Sequence, residues 1–115
     1  MSRQSVTNKV HFPFEISGKV QGVYFRKCAK KKADALGIHG WIQNTPNKTV
    51  KGEIQGTPKG VEKMKNWLEK EGSPKSRIDK AVFGDEKKIA AYTFPDFSML
   101  KWNGLKMPTH FQLIF

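Results

Sequence analysis

A single cysteine, Cys28, occurs in the 115 residues. That excludes an intrachain disulfide and removes any dependence on an oxidising compartment. Cys28 falls on the buried side of a helix read below, where a lone thiol acts as a small hydrophobe. Histidine is equally scarce: His11, His39 and His110 stand far apart, and no Cys/His spacing suits zinc. No apolar run reaches the length of a membrane span, and the opening MSRQSVTNKVHFPF lacks the hydrophobic stretch of a signal peptide. A soluble, cytoplasmic protein is expected. Acidic residues are few, 10 against 21 lysines and arginines, for a formal charge of +11. Such a surface attracts anions, whether nucleic acid, phosphorylated metabolites or acidic membrane; the plainer reading is a solvated surface with no specific partner. The length fits one domain with a core of its own.

One further scarcity is local. GKVQGVYFRK, from Gly18 to Lys27, contains no Ser, Thr, Cys, His, Asp or Glu. Chemistry at this loop must proceed without a side-chain nucleophile, a general base or a metal ligand.

What is present sorts into alternating patterns. HFPFEIS places Phe12, Phe14 and Ile16 on one side and Pro13, Glu15 and Ser17 on the other, the period of a half-buried strand. Pro13 has no backbone donor and should sit in the first residues of the strand or at an edge. FRKCAKKKADALG repeats Phe25, Cys28, Ala29, Lys32 and Leu36 at helical spacing, with Gly37 at the C-cap and Lys27, Lys30 and Lys31 on the outer face. Lys32 should snorkel along the apolar stripe.

IHGWIQN and TVKGEIQG, parted by TPNK, form a hairpin pattern in which Val50, Gly52 and Ile54 share one face, and Lys51, Glu53 and Gln55 the other. TPKGVEKMKNWLEKEG is a second helix, capped by Thr57, opened by Pro58, with Val61, Met64, Lys65 and Leu68 marking a face and Gly72 closing it. Trp67 borders that face and reads as core. RIDKAVFGDEKKI supplies a fourth strand with a turn near Gly84 and Asp85, and FPDFSMLK a fifth. The apolar tail from Trp102 to Phe115 either packs back on the sheet or forms a sticky end. The order strand, helix, strand, strand, helix, strand, then a last strand predicts an α+β, ferredoxin-like βαββαβ sandwich: an antiparallel sheet with two helices on one face.

Two glycines four apart between a strand and a helix describe a turn whose amides can converge on an anion at the helix N-terminus. The spacing alone is a weak signal, since such turns often carry glycine for steric reasons. Arg26 in the helix's first turn opposes the helix dipole, which is unfavourable unless something negative sits nearby. Its planar fork could bind two oxygens of the same anion. Without more, a plain surface arginine is the commoner outcome.

GKVQGVYFR is similar at every specified position to the acylphosphatase signature G-x-V-Q-G-V-x-F-R. GWIQNTPNKTVKGEIQG resembles the family's second signature, in which Gly-Trp is followed three residues after the Trp by Asn, here Gly40, Trp41 and Asn44. WLEKEGSPKSRIDKAVFGDEK resembles the eukaryotic small, common or muscle, type. The resemblance runs from about Val10 to Lys101. It implies an acylphosphatase-like domain over 9–101 with a C-terminal extension over 102–115. It also implies hydrolysis of carboxyl-phosphate anhydrides such as 1,3-bisphosphoglycerate, carbamoyl phosphate or acetyl phosphate.

Matched residue by residue, it puts the phosphate cradle on Gly18, Lys19, Val20, Gln21, Gly22, Val23 and Tyr24. The phosphoryl-holding arginine falls on Arg26, and the asparagine that orients the attacking water falls on Asn44. No metal and no cofactor are implied. The expected partners are a small acyl phosphate and inorganic phosphate as product and inhibitor; a monomer without nucleic acid or membrane is expected.

Two departures from the family pattern stand out. Family members commonly place Gly just before the Thr-Val that opens the hairpin's second strand; here Asn47 is expected to take the left-handed conformation. Relatives also end near the closing strand, where a carboxylate or nearby residue supports the site arginine, whereas fourteen residues follow Lys101 here. Other classes remain as alternatives: an RNA-binding module on the same fold, although KGEIQG lacks the aromatics of an RNA-binding octet, or a catalytically idle anion-binding module.

Overall fold

The structure, a computed structural model, describes residues 8–100. Strand β1 (Lys9–Lys19) alternates as its sequence requires: Val10, Phe12, Phe14 and Ile16 are buried. Helix α1 (Phe25–Leu36) follows and ends at Gly37, which takes the left-handed conformation at φ 69° and donates to Ala33 and Asp34. The hairpin is β2 (His39–Asn44) and β3 (Val50–Gly56). Helix α2 (Pro58–Asn66) opens on Thr57, whose side chain accepts from the Gly60 N–H, and runs on as a π-helical turn over Trp67–Glu71. Strands β4 (Arg77–Phe83), β5 (Lys87–Ile89) and β6 (Phe97–Leu100) complete the described chain.

The sheet order is β4-β1-β3-β2-β6, with β5 pairing β1 beyond the end of β4. Both helices cover one face. There Phe12, Phe14, Ile16, Ile42 and Ile54 meet Phe25, Ala29 and Ala33 of α1 and Val61, Met64 and Leu68 from the second helical segment. Each fully buried Phe or Leu contributes about 1.5–3 kcal/mol. Trp67 belongs to this core, 5.2 Å from the Phe25 ring. The ferredoxin-like class is therefore observed.

Several details differ from the expectation. The sheet is mixed, not antiparallel, because β6 runs parallel to β2, and it has six strands, not five. A three-residue, lysine-rich β5 carries almost no period-two signal. After β5 the chain crosses the face opposite the helices. The Thr93 and Phe94 N–H groups donate to Gln55 Oε1 (3.0 and 3.4 Å), and Tyr92 stacks on His39 at 3.8 Å. This crossover lays β6 against the outer edge of β2.

It also explains why Gln55, on the face of β3 away from the helices, is buried. Glu53 on the same face is buried too, accepting from Trp41 Nε1 at 2.8 Å and bonded to His11. On α1 the stripe passes through Ala33, not Lys32, and Lys30 leans inward to donate to the Phe97 carbonyl at 2.9 Å.

Pro13 lies in a central strand. The Pro13 oxygen accepts from Gly84 N–H at 2.8 Å, on the side where β4 has ended and β5 has not begun. A strand residue's N and O point to the same side, so the missing donor falls at that local edge. The left-handed residue of the hairpin turn is Lys48 (φ 66°), not Asn47. Thr45 Oγ1 accepts from the Asn47 and Thr49 N–H groups, which places the reversal one residue later. The expectations for the tail, residues 102–115, lie outside the described residues.

Candidate active site

β1 and β2 are both antiparallel to β3, and β6 is parallel to β2. The three strands therefore end on one side of the sheet, at the N-terminus of α1 and away from the crossover. There they shape a cavity of about 440 Å³. Val20, Gly22, Tyr24 and Arg26 line it from the loop and α1, and Asn44 from the last residue of β2. Phe25, Lys27 and Met99 also line it, three residues not assigned to the site from the sequence: the first two read as helix residues and the third as part of the last strand. The two residues carried over as catalytic, one near each signature's end, thus meet at one cavity.

The seven residues assigned to the cradle divide. Gly18 and Lys19 belong to β1 and pair with Ile78 and Arg77 beyond a bulge. A Cβ on Gly18 would stand 2.1 Å from the Arg77 oxygen, so its glycine is required by the approach of β4. Val23 turns into the core. Gly22 has φ 75° with open space where a Cβ would be, so its requirement is conformational. Tyr24, at φ 60°, is also left-handed and caps α1.

None of the Gln21–Tyr24 main-chain N–H groups has a hydrogen-bond partner among the described residues. Left-handed residues within a turn gather such groups into a concave nest suited to an anion. The first N–H groups of α1 are also unsatisfied by the helix itself.

Electrostatics agree with this. Arg26 and Lys27 both line the cavity, no acidic residue among those described does, and the first turn of α1 has none. The dipole and two cations act together on any ligand there. Arg26 is half-buried and donates from Nη1 to the Leu100 oxygen at 3.0 Å. This bond ties the arginine to a main-chain carbonyl at the end of β6. A carbonyl has no side-chain signature, so no sequence signal could have found it.

Gln21 joins the two halves of the site. Its Nε2 donates to the Thr45 oxygen at 2.9 Å and the Thr49 oxygen at 2.8 Å, fixing the loop to the turn that follows Asn44. The turn is knit further by Thr45 Oγ1 to Thr49 Oγ1 at 2.7 Å and by Thr49 Oγ1 donating to Glu15 at 2.6 Å. Asn44 is held by β-pairing opposite Val50. Its Oδ1 is buried and has no hydrogen-bond partner among the described residues. An unpaired buried acceptor costs about 1–3 kcal/mol, a strain native folds keep mainly where the atom is used.

Among the described residues no three His, Cys, Asp or Glu side chains gather where they could hold a metal ion. No helix there is long and apolar enough to cross a membrane.

Comparison with known proteins accords with this geometry. Residues 12–99 match the family model described as Acylphosphatase. Acylphosphatase-1 of Mus musculus is 49% identical over 92 residues, covering 80% of this chain and 93% of that protein. Acylphosphatase-1 of Homo sapiens is 50% identical over 88 residues, covering 76% of this chain and 89% of that protein. An acylphosphatase structure from Coxiella burnetii superposes with a TM-score of 0.71 at 28% identity, covering 86% of this chain and all of that one.

Proposed function

The chain belongs to the acylphosphatase family and has its activity, and on that premise we propose how its residues hydrolyse an acyl phosphate and that they do so without a metal. The main-chain N–H groups of Gln21–Tyr24 and the Arg26 guanidinium hold the phosphoryl oxygens. Asn44 orients the attacking water. The observation that carries this reading is the convergence of Arg26 and Asn44, from α1 and β2, on one cavity walled by the loop.

The chemistry fits a site with no acid, base or nucleophile. The leaving carboxylate has a conjugate acid with a pKa near that of Glu, about 4.3, so its departure needs no proton from the protein. Phosphoryl transfer passes through a loose state with little bonding to the nucleophile, so a strong base on water adds little. What remains is positioning and stabilisation of charge on the equatorial oxygens. Water forms the new P–O bond as the bridging P–O bond breaks, and the electron pair of that bond leaves with the carboxylate. The water's proton passes to a phosphoryl oxygen, giving dihydrogen phosphate and a carboxylate. A turn of the Asn44 carboxamide brings its unpaired oxygen to the water.

The reading takes residues 9–101 as the catalytic unit of a monomeric, cytoplasmic enzyme, consistent with a single cysteine that can form no intrachain disulfide. Small acyl phosphates are the substrates, among them acetyl phosphate, carbamoyl phosphate and 1,3-bisphosphoglycerate. An RNA platform would need exposed aromatics on the central strands. The corresponding face of β3 carries Glu53 and Gln55, both buried. The test is hydrolysis of benzoyl and acetyl phosphate with and without EDTA, beside a phosphomonoester such as p-nitrophenyl phosphate. Turnover of the first two unaffected by EDTA, with near silence on the third, is the expected result; loss of turnover on chelation would contradict it.

A further inference from the structure

A second cavity of about 470 Å³ adjoins the first and shares Tyr24 and Lys27 with it. Its walls are apolar: Val23, Cys28 and Pro74. Its rim carries Lys27, Lys31 and Lys75, all exposed, and no acidic residue among those described lines it. Lys27 and Lys31 are one helical turn apart on α1 and share a face; Lys75 comes from the loop before β4.

Between the two cavities stands Tyr24. The residue is 76% exposed, its backbone is left-handed, and Lys27 lies over the ring at 6.0 Å from the centroid. A bulky side chain rarely keeps this conformation, and an aromatic ring is rarely left so open to water. Backbone strain of this kind collects where a fold holds a residue for a ligand.

We propose that this second cavity is the acyl subsite, and that it selects acyl phosphates with an apolar body and a second anionic group at the far end. The inference rests on the active-site reading above. With the phosphoryl group in the first cavity, the acyl portion leaves across Tyr24. An aromatic or aliphatic body then lies against Val23, Cys28 and Pro74, and its distal anion meets Lys31 and Lys75. The continuity of the two cavities fixes the occupant as the substrate's own acyl arm, and the uniform positive rim fixes its charge. Cys28, counted from its spacing as a small hydrophobe, acts here as one wall.

Three probes test it: acetyl phosphate, which has no acyl body, benzoyl phosphate, and 4-carboxybenzoyl phosphate. The unaltered protein should show the highest kcat/KM for the carboxylated substrate. The double variant K31A/K75A removes two exposed cations that take no part in the phosphoryl site. It should lower kcat/KM for 4-carboxybenzoyl phosphate about three- to tenfold, as two exposed ion pairs would, and leave acetyl phosphate within twofold. Charge reversal, K31E/K75E, should deepen the loss for the carboxylated probe and spare acetyl phosphate relative to it.

Equal losses on all three substrates would mean that the lysines only attract anions in general, and would overturn the subsite. So would no change on any. Failure of the unaltered protein to hydrolyse any of the three would overturn the active-site reading and this inference with it, a result plainly distinct from activity without discrimination.

Discussion

The guanidinium of Arg26 donates to the main-chain oxygen of Leu100 at 3.0 Å. That bond crosses from the first turn of α1 to the end of β6 and restricts how the arginine can swing. Because the acceptor is neutral, the full positive charge remains available to a bound anion. Arg26→Ala should lower kcat/KM by roughly 10³-fold or more, as removal of phosphate-stabilising arginines does. Arg26→Lys should recover little of it, since a point charge cannot reproduce the planar fork. Steady-state kinetics with benzoyl phosphate read both, and near-normal activity of the lysine variant would rule out two-point holding.

Asn44 should separate binding from turnover. Asn44→Ala removes the group that aims water and leaves the amides and Arg26 in place. We expect inhibition by inorganic phosphate to stay within a few fold while kcat falls by at least 10²-fold, the scale set by loss of one aligned polar group. A variant that keeps most of its kcat would show that Asn44 serves the hairpin alone.

Gln21 is a positioning residue. Gln21→Ala deletes two hydrogen bonds to the hairpin turn and leaves the Thr45 oxygen with the Lys48 N–H and the Thr49 oxygen with the Thr45 N–H as donors. Stability should drop by about 1–3 kcal/mol. More tellingly, kcat should fall further than phosphate affinity, because Asn44 lies next to the loosened turn. Equal effects on kcat and phosphate affinity would indicate a purely structural role.

Lys48 offers a gain. It holds φ 66° at the exposed turn, where a residue with a Cβ pays about 1–2 kcal/mol and glycine does not. Lys48→Gly should raise the melting temperature by about 4–8 °C per kcal/mol recovered, in a domain of this size. Its kcat should be unchanged. A lower melting temperature would mean that the lysine side chain contributes more than its backbone costs.

Gly18 tests the division of the cradle. Gly18→Ala forces a Cβ against the Arg77 oxygen and should destabilise the fold severely. Whatever fraction folds, measured by calorimetry beside a phosphate titration, should bind phosphate with near-normal affinity. Loss of affinity without loss of stability would return Gly18 to the anion site.

Much of this was legible in the sequence. Phe12, Phe14 and Ile16 announced β1 by strict alternation, and Thr57 with Pro58 announced the start of α2. Arg26 and Asn44 could be singled out because two signatures at the right separation specify each other. What escaped notice depends on partners remote in sequence. Glu53 and Gln55 show their burial only once partners are in place, Trp41 and His11 for the first and the crossover after β5 for the second. Ala33 takes the place of Lys32 in the buried stripe, which runs through Phe25, Ala29 and Ala33 and meets the core contributed by the sheet and the second helical segment. The parallel pairing of β6, the Leu100 carbonyl and the two Gln21 bonds all arise from backbone placement, which no residue type encodes. Lys48 stood where the family pattern has glycine, yet the turn's asparagine drew attention first, since Asn tolerates the left-handed region better.

The most direct measurement is a crystal structure with orthovanadate or inorganic phosphate bound. The account predicts the ion in the cavity at the start of α1, with amides of Gln21–Tyr24 and two nitrogens of Arg26 on its oxygens, and a water between it and Asn44. An ion lodged elsewhere, or one that Arg26 touches while Asn44 stays out of reach of any in-line water, would contradict it.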